Sequence, residues 1–302
     1  MQKAFTNPIL PGCADPDVLF YEGTYYLYAT NTDMKDDSEL GFKVYTSTDL
    51  VNWTDRGMAL NACDSWGGKW FWAPDIVHVD GTFYLSYSVE EHLCIATSKS
   101  PLGPFVQEVK KPLHEDTKEI DSHFFRDDDG TWYLYFVRFF ESNQLWGAKM
   151  TEDMRGIQED TLTRIMIPDT PWECIQWPVN EAPYMIKHNG LYYLTYSGSH
   201  CQSSYGSGYG ISDSPLGTYT KYENNPILRS SDLVHGVGHH CITYSPDGSQ
   251  MFIVYHQHYD LTQMTPRCVS VDRIHFEPQE SGPDILVVDG PTVGEQPVFF
   301  AG

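Results

Sequence analysis

The 302-residue sequence predicts an all-β fold, a five-bladed β-propeller forming a single domain over residues 1–302. Three observations carry this expectation. An alternating hairpin pattern occurs five times, a glycine marks the turn in each copy, and no stretch sustains a helical period, 150–157 offering one turn at most. The copies run over 14–28, 72–87, 120–136, 180–196 and 238–255. Their turns are Glu22-Gly23, Asp80-Gly81, Asp129-Gly130, Asn189-Gly190 and Asp247-Gly248. Asp-Gly and Asn-Gly between alternating apolar runs are strong hairpin signals because both central residues take positive φ. Successive turn glycines lie 58, 49, 60 and 58 residues apart. A second strand-like pattern follows each hairpin, at 42–53, 94–103 and 210–217 with looser echoes at 145–150 and 267–274. Each unit thus has about four strands, and four-stranded units repeated radially are propeller blades. The chain ends are expected to close the last blade.

Composition narrows the function. Forty-one acidic against 19 basic residues give a net charge of −22, which repels phosphate backbones and anionic lipid and excludes nucleic-acid and membrane partners as first choices. No apolar run approaches the ~18 residues of a membrane span. The amino terminus lacks the apolar stretch of a signal peptide, and seven cysteines without paired spacing suit free thiols in a reducing compartment, so a cytoplasmic location is expected. Aromatics make up 14%, with 20 Tyr, 15 Phe and 8 Trp. Flat aromatic faces suit neutral ligands such as sugars.

The repeat also locates a site. The first strand of each propeller blade lines the central channel, so equivalent positions converge at one mouth. Eight or nine residues before the turn glycines stand Asp15, Trp72 with Ala73, Asp121, Glu181, and His239 with His240. Three carboxylates and an imidazole in one small ring are costly to bury without compensation. For each alone, capping a strand or holding channel water explains it as well as chemistry does; together they point to chemistry. Such a set suits glycoside hydrolysis: an ionised group activates water, a protonated one donates to the leaving oxygen, and a third holds the donor in place and keeps it protonated by like-charge repulsion. A like charge ~7 Å away, at an effective dielectric of ~20, is worth about 2.4 kcal/mol, enough to carry a Glu from near 4.3 to about 6. Spacing alone does not say which carboxylate does what.

At these residues the sequence resembles glycoside hydrolase family 43 along essentially its whole length. The motifs are Asp15-Pro16, Trp72-Ala73-Pro74-Asp75, Ile120-Asp121-Ser122-His123-Phe124-Phe125, Glu181-Ala182-Pro183, and Gly238-His239 ahead of Pro246-Asp247-Gly248. Each is weak alone; five in order, one per blade, are specific. The resemblance implies an inverting mechanism with Asp15 as general base, Asp121 as orienting modulator and Glu181 as general acid. Ser122 stands where many members carry proline. Arg267, in Pro266-Arg267-Cys268-Val269, resembles a family arginine that reaches the non-reducing sugar, although an arginine opening a strand is otherwise a surface charge. Trp72 is expected to wall the sugar site or pack in the core, and Trp66 and Trp70 to wall its mouth or pack on the scaffold. Asp17 and Asp75 share one repeat position six before the glycine, which favours a structural hydrogen-bonding role.

His235, His239, His240, His256 and His258 fall in one blade. Two glycines within 235–239 argue against the helix of a zinc-protease pair, and no cysteine pair joins them at metal spacing. His256 and His258 are expected to pack or face solvent. The resemblance implies that His239 ligates a calcium ion in the channel, with waters completing the shell. The activity expected is exo-hydrolysis of terminal pentose, foremost β-D-xylose from short xylo-oligosaccharides, with α-L-arabinofuranosidase or endo-arabinanase as alternatives. A non-catalytic glycan-binding propeller is the reading from another class; it would not need all three carboxylates.

Overall fold

A computed structural model describes residues 4–36 and 39–300. It is a ring of five antiparallel sheets, each opening with one of the predicted inner strands: Cys13–Tyr21, Trp72–Val79, Glu119–Arg126, Asn180–His188 and Gly238–Tyr244. The second strand returns through the glycine turn in every blade. The weaker sequence pattern forms the third strands, Gly41–Ser47, His92–Ser98, Asn143–Lys149, Gly206–Ser212 and Cys268–Glu277. Four apolar clusters sit between successive blades and a fifth joins the last to the first. The core is therefore divided among the blade interfaces, and the channel is left to polar side chains.

The ends close the ring as expected. Leu10–Pro11 pairs with Cys268–Glu277 in blade 5, and Ala4–Phe5 pairs with Gln296–Pro297. Asn7 extends the closure by imitating a strand: its Nδ2 donates to the Val271 carbonyl and its Oδ1 accepts the Val271 amide, both at 3.0 Å. Blade 2 departs from the four-strand expectation and has three strands. The chain after its third strand carries Pro101, Pro104 and Pro112, which cannot donate to a ladder. It instead docks on blade 1, where the Phe105 amide donates to the Ala59 carbonyl (2.7 Å). All seven cysteines are free. Among the described residues no helix is long and apolar enough to cross a membrane.

Candidate active site

Every inner strand breaks register at the same place. In blade 1, Ala14 pairs with Thr30 and Asp17 with Tyr28, so residues 15 and 16 face a single residue; the other four blades repeat this bulge. The bulged residues are Asp15, Ala73, Asp121, Ala182 and His239, all with φ between 43° and 55°. None is glycine, and each costs on the order of 1 kcal/mol or more in this left-handed region. Prolines follow three of the five (Pro16, Pro74, Pro183), where the bulge leaves no ladder partner for an amide. Ser122, in the slot proline fills in blades 1, 2 and 4, turns its hydroxyl to Ser86 Oγ (2.8 Å).

What holds the strained residues is a latch between blades. The residue pairing with the position before each bulge is Thr30, Ser88, Val137, Ser197 and His256 in blades 1 to 5. Thr30 accepts the amide of Ala73 (2.9 Å), Ser88 that of Asp121 (3.1 Å), and Ser197 that of His239 (2.8 Å). His256 Nδ1 closes the circle by accepting the Asp15 amide (3.2 Å). Each blade thus fixes the bulge of the next. Val137 in blade 3 cannot accept, and there the Asp121 carboxylate itself takes the Ala182 amide (Oδ2, 3.2 Å). Asp121 is thereby tied to the residue after Glu181.

Two residues further down, a second ring forms. Asp17 Oδ2 accepts the Ile76 amide (2.8 Å), Asp75 Oδ2 accepts the Phe124 amide (2.9 Å), and Asp75 Oδ1 meets His123 Nδ1 (2.8 Å). Asp17 and Asp75 are accordingly scaffold groups. Burial and the neighbouring Asp75 charge push the Asp17 carboxyl well above its usual range. Between the rings lies a cavity of about 20 Å³ bordered by Asp17, Asp75, Asp121, Ser122 and His239, room for about one water.

The upper ring brings Asp15, Asp121, Glu181, His239 and Arg267 together across more than 250 residues of sequence. Arg267 grips Asp15 with two bonds, Nη1 to Oδ1 at 2.9 Å and Nη2 to Oδ2 at 3.2 Å. His256 Nδ1 lies 3.0 Å from the same Oδ1. His239 Nδ1 sits between carboxylates, 3.4 Å from Asp15 and 3.8 Å from Asp121. Arg267, expected on the sugar, is here bonded to Asp15. His256, expected to pack or face solvent, is buried but works in the site. It stacks on Tyr205 (5.6 Å, 8°) and touches Asp15. Trp72 occupies the slot before the bulge, the slot Glu181 has in blade 4, and stacks on the exposed Trp70 (5.8 Å, 13°). Trp66 packs edge-on against His92 (5.4 Å). Asn143, which no motif marked, donates Nδ2 to Glu181 Oε2 (3.0 Å).

The environments pull the three carboxyls apart. Burial alone would raise Asp15, but Arg267 first, with His239 beside it, overrules this and holds Asp15 well below the usual carboxylate range. Burial raises Asp121 well above that range, with the Glu181 and Asp15 charges adding to it. Burial also pushes Glu181 up to about 7, against the nearby Tyr205 hydroxyl and the bond from Asn143. Burial drives His256 and His240 down to about 3, so both are neutral. An ionised Asp15 opposite a Glu181 that keeps its proton near neutrality is the pairing that acid–base hydrolysis of an acetal requires.

Calcium fits this ring poorly as a protein-built site. His239 turns Nδ1 to carboxylates, and among the described residues no group of three or more His, Cys, Asp or Glu side chains is arranged to hold a metal ion. Calcium prefers six to eight oxygens. No step below runs through an ion.

A five-bladed propeller with a base-like aspartate and an acid-like glutamate at its mouth defines the class: a carboxylate-dependent glycoside hydrolase. Comparison then gives the family. The sequence profile of Glycosyl hydrolases family 43 matches residues 5–280, and the chain belongs to that family. It is similar to an endo-1,4-β-xylanase structure from Bacteroides thetaiotaomicron, 39% identical with a TM-score of 0.88 over 96% of this chain and 98% of that one. A thermostable family-43 glycoside hydrolase structure is 36% identical, with a TM-score of 0.89 over 99% of this chain and all of that one. A β-D-galactofuranosidase of Aspergillus niger is 31% identical over 94% of this chain and 84% of its own length.

Proposed function

We propose that the protein is an inverting exo-glycosidase that releases terminal pentose, foremost β-D-xylose, from short xylo-oligosaccharides. The observation that carries the mechanism is the opposite tuning of Asp15 and Glu181 around one channel mouth. Asp15 takes a proton from water as the water oxygen bonds to the anomeric carbon. The glycosidic C–O bond breaks on the opposite face, and Glu181 gives its proton to the leaving oxygen. Asp121, anchored on the Ala182 amide, keeps a second carboxyl beside Glu181, and the two resist being ionised together. Trp72 offers an apolar face to the sugar ring, and Arg267 aligns Asp15.

The choice of sugar draws on the names of relatives: a xylosidase/arabinosidase of Bacteroides ovatus, 26% identical over 70% of this chain, and the Bacteroides thetaiotaomicron xylanase structure. The Aspergillus niger relative, a galactofuranosidase, supports a furanoside as the second reading, with arabinofuranose the pentose of that shape. A calcium ion beside His239, held mostly by water, stays a proposal of the family resemblance.

The test is release of 4-nitrophenol from its β-D-xylopyranoside, α-L-arabinofuranoside and β-D-galactofuranoside, with Asp15→Asn as control. The xyloside should be cleaved fastest and the variant should be inert on all three. A dominant furanoside rate would move the natural substrate, and a variant as fast as the parent would overturn the mechanism. A parent silent on all three but active on long xylan would replace exo by endo action.

A further inference from the structure

We infer that Tyr205 and Asn143 form a clamp on the Glu181 carboxyl, two positioning residues that aim the acid and take up the negative charge left on it once its proton has gone. The inference rests on the reading of Glu181 as general acid.

One jaw is already closed. Asn143 opens the third strand of blade 3 and bonds Glu181 Oε2 at 3.0 Å. Its backbone bridges to Val179, two residues before Glu181, so donor and acceptor are carried by adjoining strands. Once Glu181 is ionised only the amide nitrogen can serve here, because a carbonyl oxygen would repel the carboxylate.

The other jaw is poised. Tyr205 is 1% exposed, and its hydroxyl has no hydrogen-bond partner. An unpaired buried hydroxyl is costly and calls for an explanation. Its ring has no freedom to look elsewhere. One face stacks on His256 at 5.6 Å, and the ring occupies the space a Cβ on Gly238 would need, 2.5 Å from Cδ1 and Cε1. Of the charges that act on this hydroxyl, Glu181 comes first, ahead of Asp121 and Asp15. A donor fixed among three carboxyls, and unpaired in this structure, gains a charged partner when Glu181 ionises. His256 touches both the Tyr205 ring and Asp15, so the clamp and the base share one support.

A buried tyrosine could serve packing alone, and the test separates the two roles. Hydrogen bonds donated to a carboxylate favour its charged form, so removing them raises Glu181. The acid then keeps its proton to higher pH, and the basic limb of kcat/KM moves up. Tyr205→Phe and Asn143→Ala are measured with phenyl and 2,4-dinitrophenyl glycosides of the sugar cleaved best, alongside thermal melts. Each variant should shift the basic limb upward by about one pH unit. Each should lose about tenfold or more on the phenyl glycoside, and little on the dinitrophenyl glycoside, whose leaving group needs no acid. An unmoved limb with equal losses on both glycosides, in variants that melt like the parent, would overturn the clamp alone. If Tyr205→Phe fails to fold, the same readouts in Asn143→Ala decide. A parent without turnover on either glycoside would overturn the functional reading and the clamp with it.

Discussion

Replacing Arg267 by Met tests how the base is kept ionised. Arg267 and Asp15 are both largely buried, their side chains 15% and 8% exposed, and their nearest atoms are 2.9 Å apart. Taking the charge centres ~4 Å apart at an effective dielectric of ~20, the attraction is about 4 kcal/mol, equivalent to ~3 pH units. Water entering the vacated space screens part of the change, so the expected shift is about 1–3 units. The sign follows from burial. Without the guanidinium, desolvation dominates Asp15 and its folded value rises, so the acidic limb of kcat/KM moves to higher pH. Stability follows the same linkage. In the parent the depressed Asp15 contributes stability that is present above its unfolded value and lost as pH falls through its low folded value. In the variant the unpaired charge costs about 3–5 kcal/mol near neutrality, and protonation relieves it. The gap in melting temperature between parent and variant should therefore narrow on acidification. The assay is kcat/KM for an aryl glycoside from acid to neutral pH, with melts at each value. A folded variant with an unmoved acidic limb would refute the reasoning.

Three further outcomes are expected. Asp121→Asn keeps an oxygen for the Ala182 amide but ends the pairing of two buried carboxyls that resist being ionised together, so Glu181 should lose its proton more easily and the basic limb of the pH–rate profile should move down; an unchanged limb would remove the modulator role. Ser197→Ala leaves the part-buried His239 amide without its acceptor, which should cost about 1 kcal/mol in urea unfolding; no loss would show the latch to be incidental. The water-held calcium proposed beside His239 predicts that EDTA lowers activity and added Ca²⁺ restores it; insensitivity to both removes the ion.

The fold was legible because turn glycines mark the hairpins, and a propeller converts a repeat in sequence into a ring in space. Counting back from those glycines brought up Asp15, Asp121, Glu181 and His239 at once. It could not align them, because hairpin loops of two residues in blades 1, 2 and 4 become five in blade 3 and six in blade 5. Asp121 thus proves to be a bulge residue like Asp15, whereas Glu181 precedes its bulge as Trp72 does. Asn143 and His256 lie on third and second strands and Tyr205 just before a third strand, where no turn residue fixes a register and a tyrosine or histidine reads as ordinary packing. The latch was hidden for the same reason. Thr30, Ser88, Val137, Ser197 and His256 share a position in space with no common residue type. Its most informative member is Val137, whose inability to accept a hydrogen bond hands the Ala182 amide to Asp121.

The central claim is a single displacement by water that Asp15 activates and Glu181 completes. The direct measurement is the configuration of the first sugar released, followed by ¹H NMR before mutarotation. A β-glycoside should yield the α-anomer first, at a rate lost in Asp15→Asn. A first-formed β-anomer would mean two displacements through a covalent intermediate, and would contradict the assignment of Asp15 as base.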